Sequence, residues 1–373
     1  MKKVLLTAMA LLTIAASSAF GMYGWDSSWI DFLTHGNQFR ARLDQLGFTY
    51  GNGTIKGTFG FRANTGYLGN IFNDVGGNGF NPTVSAGIGF TSDMIGIGVG
   101  YNYTYADSKI GVHTPVLMLN ALNNNLRIAF PIQVAVKKYN EGGLGERTYT
   151  GVSIDPQIRF YTGMQALSQI RLKLKYGFNE TAADKDNYMS KESFGFDFRL
   201  YFGAQVGDVA IQPIIKLVYN TSLGGKVSKA GNKETLGGGS RAVTAAGTGS
   251  SGSVLDGLLN GLVAGAHKPW DLSLIIPMGL QAGSDVVSLY VEPSLGFTVI
   301  SDQNPNLSTL SSEKYALNYG VYGEISLTPV KDLEFYIEAE LGGLTSVEAT
   351  KNTLGFNAST GITWYLPGGD TAQ

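Results

Sequence analysis

The sequence predicts an all-β protein, specifically an antiparallel transmembrane β-barrel. Apolar and polar side chains alternate with a period of two through most of the chain, as they do when successive residues face opposite sides of a sheet. Only 15% of the 373 residues are charged, while 51 are glycine and 11% are aromatic, which suits a membrane wall containing small residues. Beyond the N-terminus, the sequence has no apolar run of about 18 residues, the length of a membrane-spanning helix.

The alternation is clearest in the segment SFGFDFRLYF. Phe194, Phe196 and Phe198 share one face of the predicted strand, and Asp197 and Arg199 lie on the other. A soluble sheet needs a second protein layer over such an apolar face, whereas a bilayer covers it directly. The same pattern recurs in many segments of about ten residues, which match tilted membrane strands better than the strands of globular sheets.

The chain begins with a predicted signal peptide. Lys2 and Lys3 precede a short apolar stretch that ends in the small residues around Ala19. These features predict export and removal of residues 1–19, with cleavage after Gly21 as the alternative. The chain has no cysteine, so a lipid-modified N-terminal cysteine and disulfides are excluded.

Residues 20–50 carry two conflicting patterns. The spacing of Trp29, Phe32 and Leu33 favours helical turns, whereas the alternation in residues 39–44 favours a strand. We predict a plug-like or partly paired segment, packed in or under the mouth of the barrel.

Residues 51–366 are predicted to form the barrel, with residues 367–373 as a tail. Counting from Thr54 gives fourteen strands, and sixteen if the N-terminal stretch also pairs; we prefer fourteen. Short turns are expected to alternate with longer external loops at 179–192, 221–268, 301–313 and 343–352. Within the longest loop, residues 254–263 have one apolar helical face, which predicts a helix on the barrel rim or inside the lumen.

The C-terminal strand carries a further signal. Gly361, Trp364 and Leu366 have a Gly-x-x-aromatic-x-apolar spacing that resembles the signal read by barrel-assembly machinery. Outer-membrane lipid and this machinery are therefore expected partners.

The run GMYGWDSSWIDFLTHGNQFRARLDQLGFTYGNGTIKGTFGFRAN, with the leader MKKVLLTAMALLTIA, resembles the Serpulina-type variable surface proteins of intestinal spirochaetes. This resemblance is strong over the first sixth of the chain, and the remainder is similar in style and length. It implies an abundant, surface-exposed outer-membrane protein linked to antigenic variation, with no catalytic residues to transfer.

Local motifs do not indicate an enzyme. His35, His113 and His267 lie far apart in the sequence, so neither a metal site nor a catalytic triad is predicted, and no cofactor is expected. The glycines of Gly96-Ile97-Gly98-Val99-Gly100 alternate within one strand, which favours lumen-facing positions that leave room for bulky neighbours over a nucleotide loop. The formal net charge of −2 does not suggest a nucleic-acid partner.

Charged residues on the predicted lumen face separate by sign. We expect a basic wall in the first part of the barrel and an acidic wall beyond the long loop. Asp197, an exception within the basic part, is expected to pair with a cation on a neighbouring strand, with Lys173 as the candidate. The walls would either create a field across a water-filled lumen or neutralise each other through a plug. The basic wall comprises Lys56, Arg62, Arg127, Arg159, Arg171, Lys173, Lys175, Arg199 and Lys216, and the acidic wall comprises Asp271, Glu292, Glu324, Glu334, Glu338 and Glu340.

Aromatic residues near strand ends predict girdles at the membrane interfaces. This set comprises Tyr101, Tyr103, Tyr219, Trp270 and Trp364, with Tyr105, Tyr161, Tyr290 and Tyr319 as further members.

Two functions follow from these expectations. The first is a non-enzymatic surface antigen whose loops meet host antibodies or surface ligands. The second is a porin or a gated channel with the N-terminal segment as its hatch. A soluble secreted sandwich is the third alternative, and it would leave no continuous apolar belt on the surface.

Overall fold

The computed structural model describes residues 28–42, 45–63, 82–106, 110–140, 146–184, 187–229, 232–236, 243–244, 247–248, 270–300, 315–346 and 354–367. The predicted signal peptide with Ala19, the 254–263 helix and residues 368–373 lie outside the described residues.

The architecture is a closed antiparallel barrel of sixteen strands, so the predicted fold class is confirmed. Twenty-one strand segments are described, of which β8 and β9 form one interrupted barrel strand and β11 and β12 another. The short β14 extends the β13 hairpin, and β15 and β16 pair only with each other. The segments are β1 (Gln38–Arg42), β2 (Gln45–Gly51), β3 (Ile55–Ala63), β4 (Pro82–Thr91), β5 (Gly96–Ala106), β6 (Ile110–Ala121), β7 (Leu126–Asn140), β8 (Glu146–Ile154), β9 (Gln157–Tyr161), β10 (Gln169–Asp184), β11 (Asn187–Tyr201), β12 (Ala204–Val206), β13 (Val209–Lys229), β14 (Asn232–Leu236), β15 (Val243–Thr244), β16 (Gly247–Thr248), β17 (Trp270–Gly283), β18 (Val287–Ile300), β19 (Tyr315–Val330), β20 (Leu333–Ser346) and β21 (Gly355–Tyr365).

The barrel closes between its first and last strands. β1 pairs with β21 on one side and with β2 on the other, and Arg40 lies opposite Thr363 at the closing seam. The preferred count of fourteen strands is therefore wrong, and the alternative of sixteen is correct. β1 has only five residues, and its partner β21 lies at the other end of the chain, so a local sequence pattern gives little information about it.

The two rims of the barrel differ in their connections. At the short-turn rim, neighbouring strands are joined by a few residues, as at Gly207 between β12 and β13, whose φ of 60° favours glycine. At the opposite rim, β3 ends at Ala63 and β4 begins at Pro82, and β18 ends at Ile300 and β19 begins at Tyr315. The predicted external loop 179–192 is instead mostly strand, because β10 continues to Asp184 and β11 begins at Asn187. Here the outward face need not be apolar, so the alternation fades while the hairpin continues.

The outer face of the barrel carries a belt of exposed apolar side chains. Along β17, Leu272, Leu274 and Ile276 are exposed while Asp271 and Ser273 are buried, and the same alternation recurs on other strands. Such a belt around a closed barrel is the surface that a lipid bilayer covers. No helix within the described ranges has the length and apolar character needed to cross a membrane.

Residues 28–37, hereafter the N-terminal insert, precede β1 and pack against the inner wall of the barrel. Ile30, Phe32 and Leu33 of the insert are buried with Val116 and Met118 of β6. Asn37 joins the insert to the short-turn rim, since its side chain exchanges hydrogen bonds with the backbone of Gly51 and its carbonyl accepts one from Leu366 N.

Candidate functional site

The barrel lumen is the candidate site, and the N-terminal insert is its first component. The insert begins with a single 3-10 turn, Ser28–Asp31, and the backbone N–H groups of Thr34 and His35 then bond to the carbonyl of Asp31. This tight turn places Trp29, Phe32 and Leu33 on the wall side. The helical spacing in the sequence therefore corresponds to one turn and its continuation.

Glycines in the wall form the surface that receives the insert. An added Cβ at Gly87 or at Gly100 would lie 2.6 Å from the Trp29 ring, and one at Gly98 would lie 3.0 Å from the Leu33 side chain. The Trp29 indole N–H also donates to the side-chain oxygen of Asn102, at 3.1 Å. The alternating glycines of β5 thus make room for side chains of the insert.

Asp31 connects the insert to the basic part of the wall. Its carboxylate accepts hydrogen bonds from Arg159 Nη1 at 2.7 and 2.9 Å and from Arg127 Nη1 at 2.9 Å. Burial alone would raise the pKa of this carboxyl, but Arg159 and Arg127, joined in acid by protonated His35, outweigh burial and lower the pKa to about 2. Asp31 is therefore ionised at neutral pH and holds the insert through buried ion pairs.

Two further groups define the chemistry of the insert. Lys56 Nζ of β3 donates to the carbonyls of Leu33 at 2.9 Å and His35 at 2.7 Å. Burial lowers the pKa of His35 to about 4, with Arg127 adding to this effect and Asp31 opposing it. The histidine is consequently neutral at pH 7.

Five cations form one row across five neighbouring barrel strands. In the strand register, Arg127 lies opposite Arg159, Arg159 opposite Arg171, Arg171 opposite Arg199, and Arg199 opposite Lys216. We call this row, from β7 to β13, the cation ladder. At the usual separation of strands it extends over about 19 Å. Directly opposed like charges repel, so the row needs compensation.

Compensation for the ladder is uneven. Asp31 forms ion pairs with Arg127 and Arg159. Asp197 forms an ion pair with Arg199, two residues along the same strand, with 2.7 Å between Arg199 Nη2 and Asp197 Oδ2. The described ion pair of Asp197 is thus with Arg199 of its own strand. Lys173 of β10, the partner predicted from the sequence, lies directly opposite Asp197 in the strand register.

Aromatic rings contribute to the ladder from the next inward-facing position. The guanidinium of Arg127 lies 4.5 Å from the centre of the Tyr161 ring, and that of Arg171 lies 4.7 Å from the Tyr201 ring. The assignment of Tyr161 to the membrane girdle is therefore wrong, because its ring contacts a lumen arginine.

The predicted acidic residues lie on β17 to β20, and several of them accept hydrogen bonds from tyrosine hydroxyls. Tyr322 Oη shares its single hydrogen between carboxylate oxygens of Glu324 at 2.7 Å and Glu338 at 3.1 Å, and Tyr290 donates to Glu292. Tyr290 thus faces the lumen and not the membrane interface as predicted. The other inward acids are Glu334, which accepts from Tyr365 at 3.4 Å, Glu340, and Asp271, which accepts from Asn220 at 3.1 Å.

The lumen also contains two arginines that are outside the predicted basic wall. Arg42 forms an ion pair with Glu338 at 2.6 Å, and Arg40 lies 4.5 Å from the centre of the Tyr336 ring. Both are on β1, and their alternation with Phe39 and Ala41 is the signal that could have placed them in the lumen.

The structure therefore divides the predicted walls into neighbouring arcs. Five of the nine basic residues form the ladder, and Lys173 and Lys175 occupy the next inward positions on β10. Lys56 and Arg62 are instead on β3, separated from the ladder by β4 to β6. Because β17 follows β13 directly in the barrel, the acidic arc adjoins the ladder on one side. The acidic arc therefore does not face the whole predicted basic wall across the lumen.

The remaining predicted girdle residues lie on the outer face. Tyr101, Tyr103 and Trp364 are exposed there, and Tyr219 and Trp270 contact each other with ring centres 6.4 Å apart. Among the described residues, no group of three histidine, aspartate or glutamate side chains could hold a metal ion. The lumen offers charge, hydrogen bonds and a docked segment, which are the elements of binding or selective passage.

Comparison with known proteins identifies a family. The sequence model for the family described as Serpulina hyodysenteriae variable surface protein matches residues 2–365. No curated protein matches this sequence.

Solved structures similar to this chain include outer-membrane barrels. A bacterial polysaccharide outer membrane secretin is 9% identical, with 89% of this chain and 99% of that chain covered and a TM-score of 0.46. The outer membrane channel DcaP of Acinetobacter baumannii is 10% identical, with 91% and 99% covered and a TM-score of 0.38. The ferric yersiniabactin uptake receptor FyuA of Yersinia pestis is 11% identical, with 84% and 61% covered and a TM-score of 0.42.

Proposed function

The chain belongs to the Serpulina variable surface protein family, and we propose that it is a non-enzymatic surface antigen that displays its long connections outside the cell. Its place is the outer membrane, as the family and the closed barrel with an apolar belt indicate. The observation that carries the proposal is the difference between the two rims. Short turns occupy one rim. At the other rim, 18 residues separate β3 from β4 in sequence and 14 residues separate β18 from β19.

Variation and recognition by a host fit this arrangement. Residues in loops can change without disturbing strand pairing, so a barrel tolerates variable connections better than variable strands. Host antibodies or surface ligands would meet these connections first. The barrel wall and the bonded insert then act as the constant scaffold that presents them.

Single-cysteine labelling tests this display, because the chain has no cysteine of its own. We expect a membrane-impermeant maleimide to label Ser308→Cys on intact cells. Met94→Cys is the matched control: it lies in a short turn, 75% exposed, and should react only after the outer membrane is permeabilised. Labelling of Met94→Cys but not Ser308→Cys on intact cells would reverse the orientation and reject the proposal.

A second function, a solute channel, is favoured by the charged lumen. The cation ladder and the acidic arc form adjoining surfaces of opposite sign, which would select solutes by charge and dipole. The N-terminal insert is the candidate hatch, since it packs on the inner wall. Bilayer conductance tests this function: a reconstituted protein without ion current rejects the channel, and a selectivity unchanged by Lys173→Glu rejects the role of the charges.

A further inference from the structure

Arg171, the central cation of the ladder, has less compensation than its two direct neighbours. Arg171 lies directly between Arg159 and Arg199 in the register. Each of these neighbours has a carboxylate partner, Asp31 or Asp197. The described contacts of Arg171 are neutral groups: its Nε donates to Gln169 Oε1 at 3.1 Å, and its guanidinium lies over the Tyr201 ring.

Two buried donors beside Arg171 add to this imbalance. Arg159 Nε and Gln169 Nε2 donate to no acceptor within the described part of the chain. The Arg159 side chain is 4% exposed and Gln169 is 5% exposed. Since Gln169 Oε1 is held by Arg171, the amide nitrogen is left available as a donor. Buried polar groups without partners cost free energy, so the site favours a ligand that accepts hydrogen bonds.

The three side chains are close neighbours on the lumen face. Arg159 is directly opposite Arg171 across the β9–β10 pair, and Gln169 is opposite Tyr161, two residues along β9 from Arg159. Directly opposed and diagonal side chains of paired strands lie within reach of one small ligand. The centre of the ladder thus concentrates cationic and neutral donors, without a carboxylate on Arg171.

We propose that Arg159, Arg171 and Gln169 form a binding site for a small oxyanion, meaning a phosphate, sulfate or carboxylate group. A guanidinium presents planar paired donors that match two oxygens of such a group. Asp197 illustrates this chemistry on the neighbouring strand, because its two oxygens accept from Arg199 Nε and Nη2. A cation would be repelled by the ladder, and an apolar solute would leave the donors unpaired. This site rests on one part of the channel proposal, namely that solutes can enter the lumen from at least one side.

Calorimetric titration of the full-length protein in detergent with inorganic phosphate tests the site. Chloride keeps the ionic strength constant, so that general screening does not change during the titration. We expect saturable binding of one phosphate per chain. Arg171→Gln should weaken it about tenfold or more, because a charge-assisted pair of bonds is lost. The variant relieves repulsion within the ladder, so loss of binding through unfolding is not expected, and far-UV circular dichroism verifies the fold.

Lys138→Gln is the matched control. It removes the same charge from a side chain that is 74% exposed and paired with Glu146, away from the ladder. Its phosphate affinity should equal that of the unmodified protein. Gln169→Glu supplies a second test: it keeps the side-chain size, replaces the amide donor with a carboxylate, and should also weaken binding about tenfold or more.

Absence of saturable phosphate, sulfate and acetate binding by the unmodified protein would overturn the proposal, as would equal losses in Arg171→Gln and Lys138→Gln. The three anions separate tetrahedral oxyanions from carboxylates. Conductance distinguishes this site from the channel. Phosphate binding without ion current would retain the site and reject the channel, whereas current without oxyanion binding would reject the site alone.

Discussion

Asp31→Asn is the most informative single substitution in the lumen. Asparagine keeps the size of the side chain and one hydrogen-bond acceptor but removes the negative charge between Arg127 and Arg159. The apolar contacts of Trp29 and Leu33 with the wall remain. The variant therefore isolates the electrostatic part of the attachment of the N-terminal insert.

The size of the effect follows from the pKa of Asp31. Its value falls from 3.8 to about 2 when the insert is docked, so docking is more favourable for the ionised form than for the neutral form by about 2 kcal/mol. Asparagine resembles the neutral form. We therefore expect the opening equilibrium of the insert to increase roughly 30- to 60-fold.

Amide hydrogen exchange of residues 28–37, followed by mass spectrometry in detergent at neutral pH, measures this opening. Exchange in Asp31→Asn should accelerate by the same factor, while exchange in the barrel strands stays unchanged. Asp208→Asn, in an exposed short turn, is the control and should leave the insert unaffected. An acceleration of less than threefold in Asp31→Asn would refute the role of its ion pairs.

Three other predictions follow from the same structure. Gly100→Ala should expose the insert, because the new methyl group would overlap the Trp29 ring. The control Gly323→Ala should be tolerated, since the nearest neighbour of its Cβ is 3.9 Å away. The tryptophan emission spectra of the two variants are compared. Acidification from pH 7 to 4 should open the insert. The pKa of His35 falls from 6.5 to about 4 on docking, so the undocked form binds more protons between these pH values. Tryptophan emission that is constant with pH would contradict this prediction. The pair Ala41→Cys and Ile362→Cys should form a disulfide across the closing seam, and a pair shifted by two residues should not; electrophoresis without reductant separates the products.

Most of the barrel could be predicted because a membrane strand has a strong local signature. The alternation along β11 and β17 needs only the contrast between lipid and lumen. That contrast disappears above the membrane, so the sequence predicts a loop at residues 179–192 where the strands continue. It is also weak in β1, which is short and follows an insert with a different period.

The lumen could be predicted only in part, because alternation identifies the facing direction but not the neighbours. It placed Arg159, Arg171 and Arg199 inside, but their alignment in one row depends on strand register, which involves residues distant in sequence. The alternation does not identify Asp31 as a lumen residue, because Asp31 belongs to the insert and not to a strand. The girdle prediction is wrong for Tyr161 and Tyr290, because an aromatic residue near a strand end can contact either membrane headgroups or a charged side chain in the lumen.

Oxygen accessibility of spin labels along β17 tests the central claim most directly. The protein, labelled one position at a time at single cysteines, is reconstituted in lipid vesicles. We predict high collision rates with oxygen at Leu272, Leu274 and Ile276, because oxygen concentrates in the bilayer, and low rates at Asp271 and Ser273. Uniformly low rates, as expected if a second protein layer covered the apolar face, would contradict a lipid-facing barrel.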